Sequence, residues 1–176
     1  MPAEPTVRVW DPVVRVYHWS LVAAFATAFL AEEGGRLHDA AGYAVLGLIV
    51  TRLVWGLIGS EHARFVSFVP RPAQLADYLR GLINGKPARF LGHNPAGGVM
   101  IVLLLATVLT AAASGWLMTT DRFWGVGWVE ELHESTAWLA LALVALHVAG
   151  VLVSSLLHRE NLVRAMITGN KPVTVD

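Results

Sequence analysis

Apolar residues along this chain gather into four runs of membrane length, and the polar residues collect between them. A helix needs roughly 20 mostly apolar residues to cross the hydrocarbon core of a bilayer. The runs occupy about residues 12–31, 37–58, 97–118 and 133–157. They predict an all-α membrane protein, a bundle of four transmembrane helices forming one domain over residues 1–176. Asp11 followed by Pro12 reads as an N-cap and first-turn proline for the first helix. None of the prolines interrupts a run, as continuous helices require. Glu32 and Glu33 follow the first run in place of a small-residue cleavage site, so it reads as a span and not as a signal peptide.

Between the second and third runs the period changes. After Pro70-Arg71-Pro72, one helical face carries Leu75, Tyr78, Leu79, Leu82 and Ile83, while Gln74, Asp77 and Arg80 lie elsewhere. This is the pattern of an interfacial helix lying on the membrane surface. Asn84-Gly85-Lys86-Pro87 ends it, and residues 160–167 predict a second short helix.

The cations set a direction. Arg8 and Arg15 precede the first run; Arg64, Arg71, Arg80, Lys86 and Arg89 lie between the second and third; Arg159, Arg164 and Lys171 follow the fourth. Only Arg36 and Arg122 fall on the opposite side, with Arg52 inside a span. Cytoplasmic loops carry the excess of Lys and Arg, so both termini and the long loop are expected in the cytoplasm, with the chain multi-pass. Glu32, Glu33, Asp39, Asp121, Glu130, Glu131 and Glu134 belong to the outer side, against Glu4, Asp11, Glu61, Asp77, Glu160 and Asp176 on the inner. The tryptophans suit the same frame as aromatic belts, with Trp10, Trp19 and Trp55 inner and Trp116, Trp124, Trp128 and Trp138 outer.

Composition narrows the chemistry. Thirteen basic and 13 acidic residues cancel, and charged residues make up only 15% of the chain. A net charge of zero suits a soluble protein poorly and offers nothing to nucleic acid. The absence of cysteine excludes disulfides, thiolate zinc, iron–sulfur clusters and thioether-linked haem.

Seven histidines remain as candidate ligands, and ionisable residues inside spans are functional candidates by default. His133 and His147, 14 residues apart on the fourth run, are separated by about 21 Å and about 40° of helix rotation. They lie nearly on one face at opposite depths. Spans alternate in direction, so His18 is inner and His38 outer. The depths pair His38 with His133 and His18 with His147. Two such cross-helix pairs suit two planar metal macrocycles in a bundle core, each iron taking two imidazoles and leaving no position for oxygen. Arg52, 14 residues after His38, falls on the same face near the inner pair. It is read either as a partner for haem propionates or as a side chain snorkelling to the interface. Arg36 is the corresponding candidate for an outer propionate. His62, His93 and His158 fall at the inner interface, where solvation accounts for them; Arg52, His93 and His158 are also candidate neighbours of an inner quinone site. Gly42, Gly47, Gly56, Gly115 and Gly150 suit either close helix packing or approach to a flat ring. The rival readings are a haem-free proton or metal transporter using the same histidines, and a structural anchor.

The chain resembles the bacterial cytochrome b561 family, which includes the b-type cytochrome subunit of nickel–iron hydrogenases. The resemblance covers residues 9–171. It is carried by Val9-Trp10-Asp11-Pro12 with His18-Trp19, His38 with Gly42-Tyr43, Arg52-Leu53-Val54-Trp55-Gly56 and Arg64-Phe65. It continues in His93-Asn94-Pro95 with Gly97, Glu131-Leu132-His133-Glu134, His147, and Arg159-Glu160-Asn161-Leu162 through Met166 and Gly169. It implies four helices holding two haem b groups, one toward each membrane face, with His18, His38, His133 and His147 as axial ligands. It implies electron transfer with a quinone and a redox protein partner, such as a hydrogenase or dehydrogenase subunit. The acidic outer face suits steering of a basic c-type cytochrome. The sequence leaves self-association as a homodimer open.

Overall fold

The computed structural model describes residues 5–86 and 88–173. Pro87, read as part of the stop after the interfacial helix, lies outside the described residues, as do Glu4 and Asp176 of the inner-face charge. Four helices are long and apolar enough to cross a membrane: α1 (Pro12–Leu30), α2 (Arg36–Ile58), α5 (Pro95–Met118) and α6 (Gly127–Leu157). Between α2 and α5 come a 3-10 turn (Glu61–Ala63), α3 (Phe65–Phe68) and α4 (Pro72–Ile83). After α6 the chain forms α7 (Leu162–Thr168).

The helix starts follow from their capping residues. The Asp11 carboxylate accepts the Val14 N–H at 2.9 Å, with Pro12 opening α1. Asn94 accepts from Gly97 N–H at 2.7 Å, so α5 begins at Pro95, two residues before the expected start. The Arg71 N–H donates to the Gln74 side chain at 2.8 Å ahead of Pro72 on α4. The largest departure is α6. It begins at Gly127, not at residue 133, and runs for 31 residues. At 1.5 Å per residue it is about 46 Å long, well beyond a hydrocarbon core of about 30 Å. The extra turns carry Trp128, Glu130 and Glu131, polar and interfacial residues that hydropathy alone leaves out of the span.

The chain divides into two compact units, and each long helix contributes residues to both. One unit, Val16–Val54 with Leu103–Ala145, is built from segments of the four long helices. Its fully buried residues include Ile49, Val129 and Ser114.

The other unit contains Met1–Arg15, Trp55–Val102 and Leu146–Asp176. It adds an element that the all-helical pattern did not disclose. A strand β1 (Thr6–Arg8) pairs antiparallel with β2 (Asn170–Pro172), Val7 opposite Lys171. Gly169 ends α7 with φ at +88°, and its carbonyl accepts both Val9 N–H at 2.9 Å and Trp10 N–H at 3.0 Å. A Cβ there would meet the Trp10 carbonyl oxygen at 2.7 Å, so the turn needs glycine on both counts. Val9, Trp10, Val14, Ala63 and Ala165 form the core of this unit. Trp10 is therefore 6% exposed core and not part of an interfacial belt. Trp55 is half-buried and donates its indole N–H to Asp11 at 3.2 Å, and the Ser60 hydroxyl donates to the same carboxylate oxygen. Trp19, Trp116, Trp124, Trp128 and Trp138 are exposed, as belt residues would be.

Residues 160–167 hold a second correction. The helix there starts only at Leu162, because Asn161 caps it by accepting from Arg164 N–H at 2.7 Å. Glu160 instead turns inward, 7% exposed, between Arg89 and Lys171. Lys171 lies 3.1 Å from it and also donates to Phe90 O at 3.0 Å, while Arg89 donates to Pro172 O at 2.7 Å.

Candidate cofactor site

In the unit formed by Val16–Val54 and Leu103–Ala145, His38 and His133 come together with ring centroids 6.0 Å apart and planes at 78°. His38 is the third residue of α2. Its Nδ1 lies 2.8 Å from the carbonyl oxygen of Ala28, in the last turn of α1, where helix carbonyls lack intrahelical partners. His133, on α6, holds its Nδ1 2.8 Å from the carbonyl oxygen of Ala111 on α5. A carbonyl only accepts, so each Nδ1 carries the proton and donates. Each Nε2 is thereby left as the lone-pair nitrogen, the arrangement that orients histidine ligands at metal centres.

The spacing suits one metal ion between two rings. A metal–imidazole bond of about 2.0 Å, with about 1 Å from nitrogen to ring centre, places two opposed ring centres about 6 Å apart. The cleft holding the two histidines is also lined by Gly42, Ala112 and Gly115, with Asp39, Tyr43, Trp116 and Thr119. A Cβ on Gly42 would meet nothing within 4 Å, so the cleft is open at that point. The Tyr43 hydroxyl lies 3.1 Å from Thr119 Oγ1. Thr119 spends its own proton on Trp116 O at 2.8 Å, so Tyr43 is the donor of that pair. The residues present thus fit a macrocycle whose iron takes two neutral imidazoles.

Of the other expected site residues, His18 lies half-buried on α1, edge-on to Trp19 at 5.2 Å. Arg52 is on α2 and only 5% exposed. Arg36 is the exposed first residue of α2 and is not among the residues lining the cleft. His147 is half-buried on α6, in the unit that also holds His62, His93 and His158.

His93 is not the solvated interfacial histidine the sequence suggested. Its ring packs 4.5 Å from Trp10 and 4.9 Å from Phe68. It borders a cavity of about 450 Å³ lined also by Phe68, Gln74, Tyr78, Phe90 and Pro95. The sequence reading also missed the carbonyls of Ala28 and Ala111. The one available trace is the small-residue spacing of Ala111 and Gly115, four apart on α5.

Membrane-length helices that carry paired imidazoles and a buried arginine fit the class of membrane-embedded b-type cytochromes, haem-b proteins of electron transfer. The chain belongs to the prokaryotic cytochrome b561 family, whose model matches residues 9–169. Among curated relatives, a probable Ni/Fe-hydrogenase B-type cytochrome subunit of Bradyrhizobium diazoefficiens is 21% identical, over 95% of this chain and 86% of that protein. A protein of the same description from Rhizobium leguminosarum is 22% identical, over 94% and 89%. One from Azotobacter vinelandii is 26% identical, over 94% and 88%. No solved structure matches significantly.

Proposed function

We propose that the chain is a single transmembrane cytochrome domain carrying two haem b groups, which moves electrons across a bacterial inner membrane between a quinone and a redox protein. The observation that carries this reading is the His38–His133 pair, at 6.0 Å with both Nδ1 atoms bonded to carbonyls. These two are the ligands of an outer haem. His18 and His147 are assigned to an inner haem on their depths along the sequence. When bound, haem supplies a one-electron iron couple; the protein sets its orientation and electrostatics. The Ala28 and Ala111 carbonyls hold the rings in the ligating tautomer. Arg52, buried in a span, is suited to an inner propionate, because a guanidinium pairs with carboxylates in two places at once. Arg36 is the candidate for an outer one.

The excess of Lys and Arg on the termini and long loop supports a cytoplasmic location for both ends. The names of the relatives favour a hydrogenase as the protein partner, with this chain as its membrane cytochrome subunit. The acidic outer residues also suit a basic c-type cytochrome. A mostly apolar cavity with a few polar groups is the usual form of a small-molecule site. The cavity beside His93 and Tyr78 is accordingly the candidate quinone site.

A haemochrome spectrum of the purified protein tests the reading. Two haems b per chain are expected, and His133→Ala and His147→Ala should each remove one and leave the other. A colourless protein, or two haems retained in both variants, would overturn it.

A further inference from the structure

We infer that Gly115 is a positioning residue for the outer haem: the bare Cα at this place on α5 is the seat on which the His133 ring lies. The inference rests on His133 being a haem ligand. A Cβ built on Gly115 would lie 2.9 Å from His133 Cε1, closer than real Cβ contacts come, and 3.0 Å from Nδ1. Residues four apart share a helix face. Ala111, four residues before Gly115, is the one whose carbonyl takes the Nδ1 proton at 2.8 Å. One face of α5 therefore supplies both the hydrogen bond to Nδ1 and a close approach to the Cε1–Nδ1 edge of the same ring.

The other glycines sort by the same measure. Gly42, Gly47 and Gly150 have nothing within 4 Å of a built Cβ. Gly56 would meet the Phe65 ring, a packing contact with no histidine in it. Among the described glycines of the spans, Gly115 alone would strike one of the four expected ligands. Ser114 beside it is 2% exposed and donates to the carbonyls of Thr110 and Ala111, so this part of α5 is packed and has little room to shift. A methyl group at 115 must then move the imidazole. Moving it bends the Nδ1–H···O bond and changes the 78° angle between the His133 and His38 planes. Ligand planes near perpendicular leave the two dπ orbitals of low-spin ferric iron close in energy. The angle is therefore visible as a highly anisotropic electron paramagnetic resonance signal.

The experiment compares the holoprotein with Gly115→Ala and Gly47→Ala, and uses His133→Ala to assign the two haems. Gly115→Ala should move the resonance and the midpoint potential of the haem that His133→Ala removes, or lose that haem, and leave the other haem's signal in place. Gly47→Ala should match the wild type in both. Unchanged signals and potentials in Gly115→Ala would overturn the inference, as would equal shifts in the two glycine variants. If Gly115→Ala fails to accumulate, the same change is made in the His133→Ala background. Removing the ring should remove the clash, so the double variant should accumulate like His133→Ala alone. Continued failure would assign Gly115 to helix packing and overturn the inference. Retention of both haems in His133→Ala would instead remove the reading beneath it, so the two failures are distinct.

Discussion

Glu160 carries a negative charge to a place that is 7% exposed, and two cations follow it there. Burial raises its carboxyl pKa, but hydrogen bonds and charge from Arg89 and Lys171 outweigh burial and hold it below the ordinary value. A carboxylate with a depressed folded pKa contributes stability that is full above the unfolded pKa and is lost as pH falls through the folded one. The protein should therefore begin to lose this contribution below about pH 4.5, the ordinary value. Removing one member of a buried ion group costs about 3–5 kcal/mol, since the remaining charges stay buried without a partner. Glu160→Gln should accordingly destabilise the fold by about 3 kcal/mol and flatten the acid limb of a denaturation-against-pH profile. Gly169→Ala should also destabilise, by about 1–3 kcal/mol for a strained left-handed residue, read as a lowered thermal midpoint. Sequence reading placed Glu160 in a short helix and among the inner-side acids, with no sign of these partners. Its partners are 71 residues earlier and 11 later, and a pattern along the chain carries no trace of that meeting.

Among the elements, α4 shows where local pattern is sufficient. Its apolar face was legible, and in the structure Tyr78 is buried while Leu79, Leu82 and Ile83 are 41%, 37% and 84% exposed. Those exposed apolar side chains suit a lipid interface, each worth about 1.5–3 kcal/mol when fully buried. In liposomes, residues 72–83 should show slow amide exchange, and changing Leu79, Leu82 and Ile83 together to Ser should speed it by about tenfold or more. Unchanged exchange would mean that α4 does not rest on the membrane. Helix α6 shows the opposite case. Hydropathy stopped at residue 133 because Trp128, Glu130 and Glu131 are not hydrocarbon residues, yet backbone hydrogen bonding continues to Gly127. Helix length follows from hydrogen bonding and packing; hydropathy reports only the part that suits lipid.

For the whole molecule, charge sidedness is the feature with consequences. Reporter fusions at both termini should read as cytoplasmic if the Lys and Arg excess sets the topology. Steered association is screened by salt over about 10 Å at 0.1 M. Binding of a basic c-type cytochrome should thus slow by tenfold or more between low and high ionic strength, measured by stopped-flow reduction. A salt-independent rate would exclude the acidic face as the docking surface. The number of spans and the meeting of His38 with His133 were legible in the sequence alone, because they depend on helix rise, alternating direction and local polarity. Only the tertiary structure decided that both Nδ1 atoms meet carbonyls and that Arg52 is buried. It also decided that Trp10 and Glu160 are buried and that Gly115 lies against the His133 ring. Each of these depends on the approach of atoms remote in the chain to within a few tenths of an ångström, and periodicity does not encode such distances.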